Sequence, residues 1–300
     1  MALHSQHSFN GISLCSGYGG LELGLHIAEP NYRTVCFVER EAHAAATLVA
    51  RMEDQALDHA PVWDDVKSFK GRPWRGRIQI LSAGYPCQPF SYGGKQKGAA
   101  DPRHLWPDVA RIIKEAQPEW VFLENVKGHI DLGFSDVGRE LQGMGYGVKA
   151  GLFSAFEVGA SHYRERLFIL AHANRLDGGK PGRFGVHKKG AAAAGRRSAE
   201  RQPAVSKRER SGVDPAMADA TSCGVSTKAA DADPLPLFAP GPGDLTAWHR
   251  ALSFAPDLQP CFLGLADGMA DRVDRQRGAG NGVCPLAAAL AYRTLRDEFG

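Results

Sequence analysis

Gly11–Ile12–Ser13–Leu14–Cys15–Ser16–Gly17–Tyr18–Gly19–Gly20 is the stretch from which the fold follows. A short apolar run leads directly into a glycine turn, as at a strand end that gives way to a helix. Working outward, β-branched and apolar Thr34–Val38 reads as a second strand. Glu41–Met52 reads as a helix with Ala42, Ala45, Ala46, Val49 and Met52 on one face. Ile78–Ala83 is another strand. Val109, Ile112, Ile113 and Ala116 recur at helical spacing and predict a helix that stops before Pro118. Trp120–Leu123, Val148–Phe153 and Leu167–Ala171 complete the strands. Strands alternating with helices predict an α/β fold with a mostly parallel sheet covered on both faces.

The 300 residues, 43% of them hydrophobic, suffice for one large domain or one domain plus a small lobe. The net charge is only +3, but its distribution is uneven. Residues 173–212 carry 11 Lys/Arg against 3 Asp/Glu, a local +8 that leaves −5 for the remainder. Such a block suits a polyanionic partner, and equally a solvated linker. Residues 173–247 show no strand or helix periodicity and read as flexible. Order is expected to return around Pro260–Met269, with a final helix from Pro285 through Leu286 and Leu290 towards Leu295. The expected division is therefore 1–171, 172–259 and 260–300. The six cysteines form no C-x-x-C pair and no zinc-ligand spacing. No secretory leader and no apolar run of membrane-spanning length is visible, so a soluble cytoplasmic protein is expected.

Ligands of open parallel sheets bind at the carboxyl ends of the strands. The first such end carries Ser16, Gly17, Tyr18, Gly19 and Gly20. Glu39 follows the second strand, 19 residues after Gly20, and can accept hydrogen bonds from ribose hydroxyls or stand as a surface acid. Asp65, before Val66, can accept from an adenine amino group or cap a turn. Without a phosphate-loop lysine, a ribose- and adenine-bearing ligand fits best. The strand Ile78–Ala83 runs into Gly84–Tyr85–Pro86–Cys87–Gln88–Pro89–Phe90–Ser91. A cysteine in a stiff, proline-flanked turn is a candidate nucleophile, with a buried structural thiol as the alternative. Glu124 ends the next strand; it can hold a proton there or cap a helix. Arg164 and Arg166 alternate onto one face, able to contact a base or phosphate or to form surface ion pairs.

In this order the segments resemble the cytosine-5 DNA methyltransferase family, of bacterial or phage type, over residues 11–171 and 260–298. The resemblance is carried by Pro86–Cys87–Gln88, Gly94–Lys95–Gln96–Lys97–Gly98, Glu124–Asn125–Val126, Arg164–Glu165–Arg166 and Gly280–Asn281–Gly282–Val283–Cys284–Pro285. It implies a Rossmann-like, class I S-adenosylmethionine-dependent methyltransferase sheet with a small, irregular target-recognition region. It implies that Ser16–Gly20, Glu39, Asp65, Val66, Pro86 and Asn281 hold S-adenosylmethionine. Cys87 would add to C6 of a cytosine, Glu124 would bond N3, and Arg166 with Arg164 would contact the base. Gln88, Ser91, Lys95, Lys97 and Arg103 would meet DNA. Two positions depart from the family: Cys15 replaces an aromatic residue over the adenine, and His162 replaces a glutamine.

The implied partner is double-stranded DNA, with a restriction endonuclease of the same system as a further one, and no membrane; a monomer is expected. The competing readings are a tRNA cytosine-5 methyltransferase, a catalytically inactive DNA-binding module, and a nicotinamide-dependent enzyme. The Pro86–Cys87 turn and the absence of dinucleotide glycine spacing argue against the last.

Overall fold

The computed structural model describes residues 8–86, 105–173, 186–187, 238, 240, 244–254 and 282–300. The chain begins with β1 (Phe9–Leu14), α1 (Gly20–Ala28), β2 (Tyr32–Val38), α2 (Ala42–Glu53), β3 (Val62–Trp63) and β4 (Ile80–Ala83). It continues with α3 (Trp106–Ala116), β5 (Trp120–Val126), α4 (His129–Leu132), α5 (Phe134–Gly143), β6 (Tyr146–Ser154), β7 (Glu165–Ala173) and β8 (Val186–His187). The helices α6 (Leu245–Phe254) and α7 (Pro285–Asp297) follow. One sheet takes the order β3-β2-β1-β4-β5-β7-β6-β8. The direction of winding reverses between β1 and β4, which places the glycine turn after β1 at a topological switch point.

The parallel expectation holds from β3 to β5. β7, however, runs antiparallel to both β5 and β6, so the sheet is mixed. This reversal matters for the site. Arg166 pairs with Val126, so the start of β7 lies at the same edge as the carboxyl ends of β1, β4 and β5.

Alternation along the strands divides the core. Ile12, Leu14, Leu81, Ala83, Val121 and Leu123 pack under α3 and α5, against Val109, Ile112, Ile113 and Leu141. On the other face Ile80, Phe122 and Phe168 meet Leu25 of α1 and Tyr292 and Leu295 of α7. α1 and α7 approach closely because Gly24 has no side chain: a Cβ there would lie 2.6 Å from Ala288 Cβ and 2.8 Å from the Pro285 carbonyl. The α2 face differs from the expected one. Ala44, Leu48 and Met52 are buried, whereas Ala42 and Ala46 are exposed and Val49 is 45% exposed. Two apolar stripes compete on this alanine-rich helix, and the stripe holding Leu48 removes more apolar area from water. The helices α4, α5 and α6 and the short strands β3 and β8 had no counterpart in the sequence reading. The expected ordered stretch at Pro260–Met269 lies outside the described residues.

Candidate active site

The glycine turn after β1 is braced from below. The buried Ser16 hydroxyl accepts from Ser13 Oγ at 2.7 Å and from the Val38 N–H at 3.3 Å, tying the ends of β1 and β2 together. Its side chain is thus committed to the protein. Gly17 sits at φ +54°, and a Cβ there would meet nothing within 4 Å, so the turn faces open space. The Gly17 N–H donates to Glu39 Oε2 at 2.7 Å, and the Glu41 N–H donates to Oε1 at 2.8 Å. Each oxygen keeps a lone pair for a further donor. The Tyr18 carbonyl accepts from Arg51 at 2.7 Å. Gly20 serves close packing: a Cβ there would lie 2.6 Å from the Val283 carbonyl. The segment preceding α7 therefore lies against the glycine turn.

Asp65 Oδ1 accepts from the Lys67 N–H at 2.9 Å, and the Asp65 carbonyl accepts from the Ser68 and Phe69 N–H groups. Asp65 thus shapes a tight turn, and Val66 beside it is buried. Cys15, in a left-handed conformation at φ 51°, has its thiol pushed up to about 12 by burial, with Glu39, Asp108 and Asp65 adding negative field. Glu39, the Asp65 turn and the first turn of α3 therefore converge on the carboxyl end of β1.

The second half of the site surrounds Glu124. This carboxyl group is 7% exposed and lies 3.1 Å from Arg166 Nε. Burial pushes its pKa up to about 7, against the opposing pull of Arg166 and Arg164. Its Oε2 lies 3.7 Å from where a Gly84 Cβ would be, so it faces the turn that follows β4. Arg164 donates to the Gly282 carbonyl at 2.5 Å, and burial followed by the neighbouring Arg166 lowers its pKa. Glu165 points the other way, pairing with Lys127 at 2.7 Å and accepting from Tyr163 at 2.9 Å. The expected alternation of Arg164 and Arg166 is thus present.

The turn after β4 is held by residues that the sequence reading left without a role. Asn125 donates to the Tyr85 carbonyl at 3.2 Å, and the Tyr85 hydroxyl shares a 3.0 Å hydrogen bond with buried His129 Nε2. Pro86 is exposed. Cys87, Gln88, Ser91, Lys95, Lys97, Arg103 and Asn281 lie outside the described residues. Among the described residues no group of His, Cys, Asp and Glu could hold a metal ion, and no helix is long and apolar enough to cross a membrane.

Comparison with known proteins gives the site a context. The sequence model of the family described as C-5 cytosine-specific DNA methylase matches residues 9–210. The Type II methyltransferase M.NgoMIV of Neisseria gonorrhoeae is 34% identical over 170 residues, covering 55% of this chain and 52% of that protein. M.PspPI of a Psychrobacter strain is 35% identical over 179 residues, 57% of this chain and 41% of its own length. The chain thus spans about half the length of the curated relatives it matches. Among solved structures, the Dnmt2 methyltransferase of S. pombe superposes with a TM-score of 0.47 at 21% identity, over 58% of this chain and 53% of the other.

Proposed function

The chain belongs to the C-5 cytosine-specific DNA methylase family, and from that premise we propose that it methylates C5 of a cytosine flipped out of double-stranded DNA, with Cys87 as nucleophile. The observation that carries this reading is the Glu124 carboxyl group. It is buried beside Arg166, poised to hold a proton near neutral pH, and faces the turn that leads from Gly84 into Cys87.

C5 of cytosine is a weak nucleophile. Attack of the Cys87 thiolate on C6 forms an S–C6 bond and moves the ring π electrons onto C5, which becomes enamine-like. A proton on Glu124, shared with N3, favours that addition by neutralising the charge that develops in the ring. After C5 has gained its methyl group, loss of the C5 proton restores the ring and expels the Cys87 sulfur. Arg166, and Arg164 anchored at the Gly282 carbonyl, are the donors placed beside Glu124 to orient the base. This chemistry needs the base out of the stack.

The open glycine turn and Glu39 fit the ribose and amino-acid parts of S-adenosylmethionine, and the Asp65–Val66 turn fits its adenine. When bound, S-adenosylmethionine supplies the methyl group. Ser16, Tyr18, Gly19 and Gly20 would shape its cradle, and the family resemblance adds Pro86 and Asn281 to the residues that would hold it. Gln88, Ser91, Lys95, Lys97 and Arg103 would meet the DNA.

The test is transfer of labelled methyl from S-adenosylmethionine to double-stranded DNA. Wild type is expected to label DNA at cytosine, and Cys87→Ala to label none. Labelling of RNA but not DNA, or an active Cys87→Ala variant, would overturn the reading.

A further inference from the structure

Helix α3 precedes β5 in the chain, and it carries a side chain aimed at the turn that follows β3. Arg111 Nη1 donates to the Phe69 carbonyl at 2.9 Å, and Nη2 donates to the Val66 and Lys67 carbonyls at 3.0 and 3.3 Å. Its guanidinium is held in turn by Asp108 at 3.6 Å and Glu115 at 3.3 Å, one turn either side along the helix. Glu115 also accepts from the Gly71 N–H at 2.7 Å. A cation thus holds the carbonyls of residues 66, 67 and 69, and an anion holds the N–H of residue 71.

We propose that Arg111 is the positioning residue for the adenine end of the cofactor site, fixing where the Asp65 turn stands and therefore how selectively it reads the adenine amino group. The inference rests on the proposed function, in which Asp65 and Val66 meet the adenine. Residues 64–71 have little sheet of their own to locate them, because the preceding β3 is a two-residue edge strand. The hydrogen bonds within the turn, from Lys67, Ser68 and Phe69 back to Asp65, set its local shape. They do not set its place against the sheet. Burial of Val66 and Phe69 presses the turn onto the core, but apolar contact has no direction. Three carbonyls converging on one planar guanidinium do have direction, and the fork geometry is specific to arginine. The first turn of α3 also reaches the site, since Asp108 joins Glu39 and Asp65 in the field at Cys15. Arg111 therefore ties the adenine turn to the helix that frames the same cleft.

The test compares binding of S-adenosylhomocysteine and S-inosylhomocysteine to the full chain by titration calorimetry. The inosine form replaces the adenine amino donor with a carbonyl acceptor, which the Asp65 carboxylate would repel. Wild type is expected to prefer the adenosine form about tenfold or more, the scale of one hydrogen bond to a charged group. Arg111→Ala should lose most of that preference and bind S-adenosylhomocysteine about tenfold more weakly. Arg111→Lys, which keeps the charge but not the fork, should fall between them, with kcat at saturating S-adenosylmethionine little changed for both. Should Arg111→Ala fail to fold, Arg111→Lys carries the test. An unchanged preference in the folded variants, whether affinity is kept or lost equally for both ligands, would overturn the inference and leave Arg111 a structural residue. Wild type that binds neither ligand would overturn the cofactor reading itself.

Discussion

Glu124 concentrates the chemistry at the scale of a single residue. Its carboxyl group is taken out of water by β5, β7 and the turn after β4, and burial outweighs the two arginines that favour its ionised form. The folded pKa of about 7 lies above the ordinary 4.5, so the folded state binds the proton more tightly than the unfolded chain does. The stability this contributes is fully present below about 4.5 and is lost as pH rises through about 7. Glu124→Gln should therefore flatten the pH dependence of the unfolding free energy between pH 5 and 7, by an amount on the order of 3 kcal/mol at most. Chemical denaturation at several pH values measures it. The catalytic consequence has the same sign. In the proposed mechanism, activity that needs the Glu124 proton falls as pH rises through about 7, which gives the pH profile its alkaline limb. Glu124→Gln should remove the alkaline limb and slow methyl transfer about 10²- to 10⁴-fold. Arg166→Gln should move that limb to higher pH, because the guanidinium 3.1 Å away favours the ionised carboxylate. An unmoved limb in the Arg166 variant would separate it from Glu124. His129, buried against the Tyr85 hydroxyl, is the residue at this scale that no spacing announced. A lone histidine after Gly128 carries no periodic signal, and its partner lies 44 positions away.

At the scale of elements, the glycines of α1 decide how the end of the chain returns. Gly20 and Gly24 lie one turn apart and admit Val283, Pro285 and Ala288 to within less than a side chain's width of the α1 backbone. Gly24→Val should destabilise the fold by about 1–3 kcal/mol, since even a Cβ there would lie 2.6 Å from Ala288 Cβ and 2.8 Å from the Pro285 carbonyl. A urea titration reads this as a lower midpoint at unchanged slope. Most strands were legible because each is a short apolar run closed by a turn signal, as at Leu14–Gly17 and Ala83–Pro86. The buried face of α2 was not, because its alanines fit either stripe and Leu48 decides between them only once a partner surface exists. The reversal of β7 was equally hidden. Leu167–Ala171 is a continuous apolar run whose direction depends on the connection from β6, and a buried strand reads alike in both senses. The arginine clamp of α3 escaped for a related reason. Asp108, Arg111 and Glu115 have the spacing of an ordinary surface ion-pair row, and only the tertiary fold turns Arg111 towards three carbonyls.

Across the whole molecule, one sheet edge gathers segments distant in sequence. The glycine turn, Glu39, the Asp65 turn, Gly84, Glu124 and Arg164 meet there, closed by the segment before α7. The sequence named most of these residues because strand ends are locally marked. It could not supply their contacts, such as Gly17 with Glu39 or Arg164 with Gly282, which span 22 and 118 positions. In the proposed function the glycine turn, Glu39 and the Asp65 turn would take the cofactor, Glu124 and Arg166 would take the target base, and Cys87 follows β4 in the sequence. The most direct test of that arrangement is a covalent trap. Fluorine at C5 of cytosine cannot depart as a cation, so a cysteine added at C6 stays bonded once C5 is methylated. The chain is incubated with S-adenosylmethionine and double-stranded DNA carrying 5-fluorocytosine, digested, and mapped by mass spectrometry. The expected result is a nucleotide adduct on the peptide containing Cys87, absent from Cys87→Ala. An adduct on another cysteine, or methylation of ordinary DNA with no trapped Cys87, would contradict it.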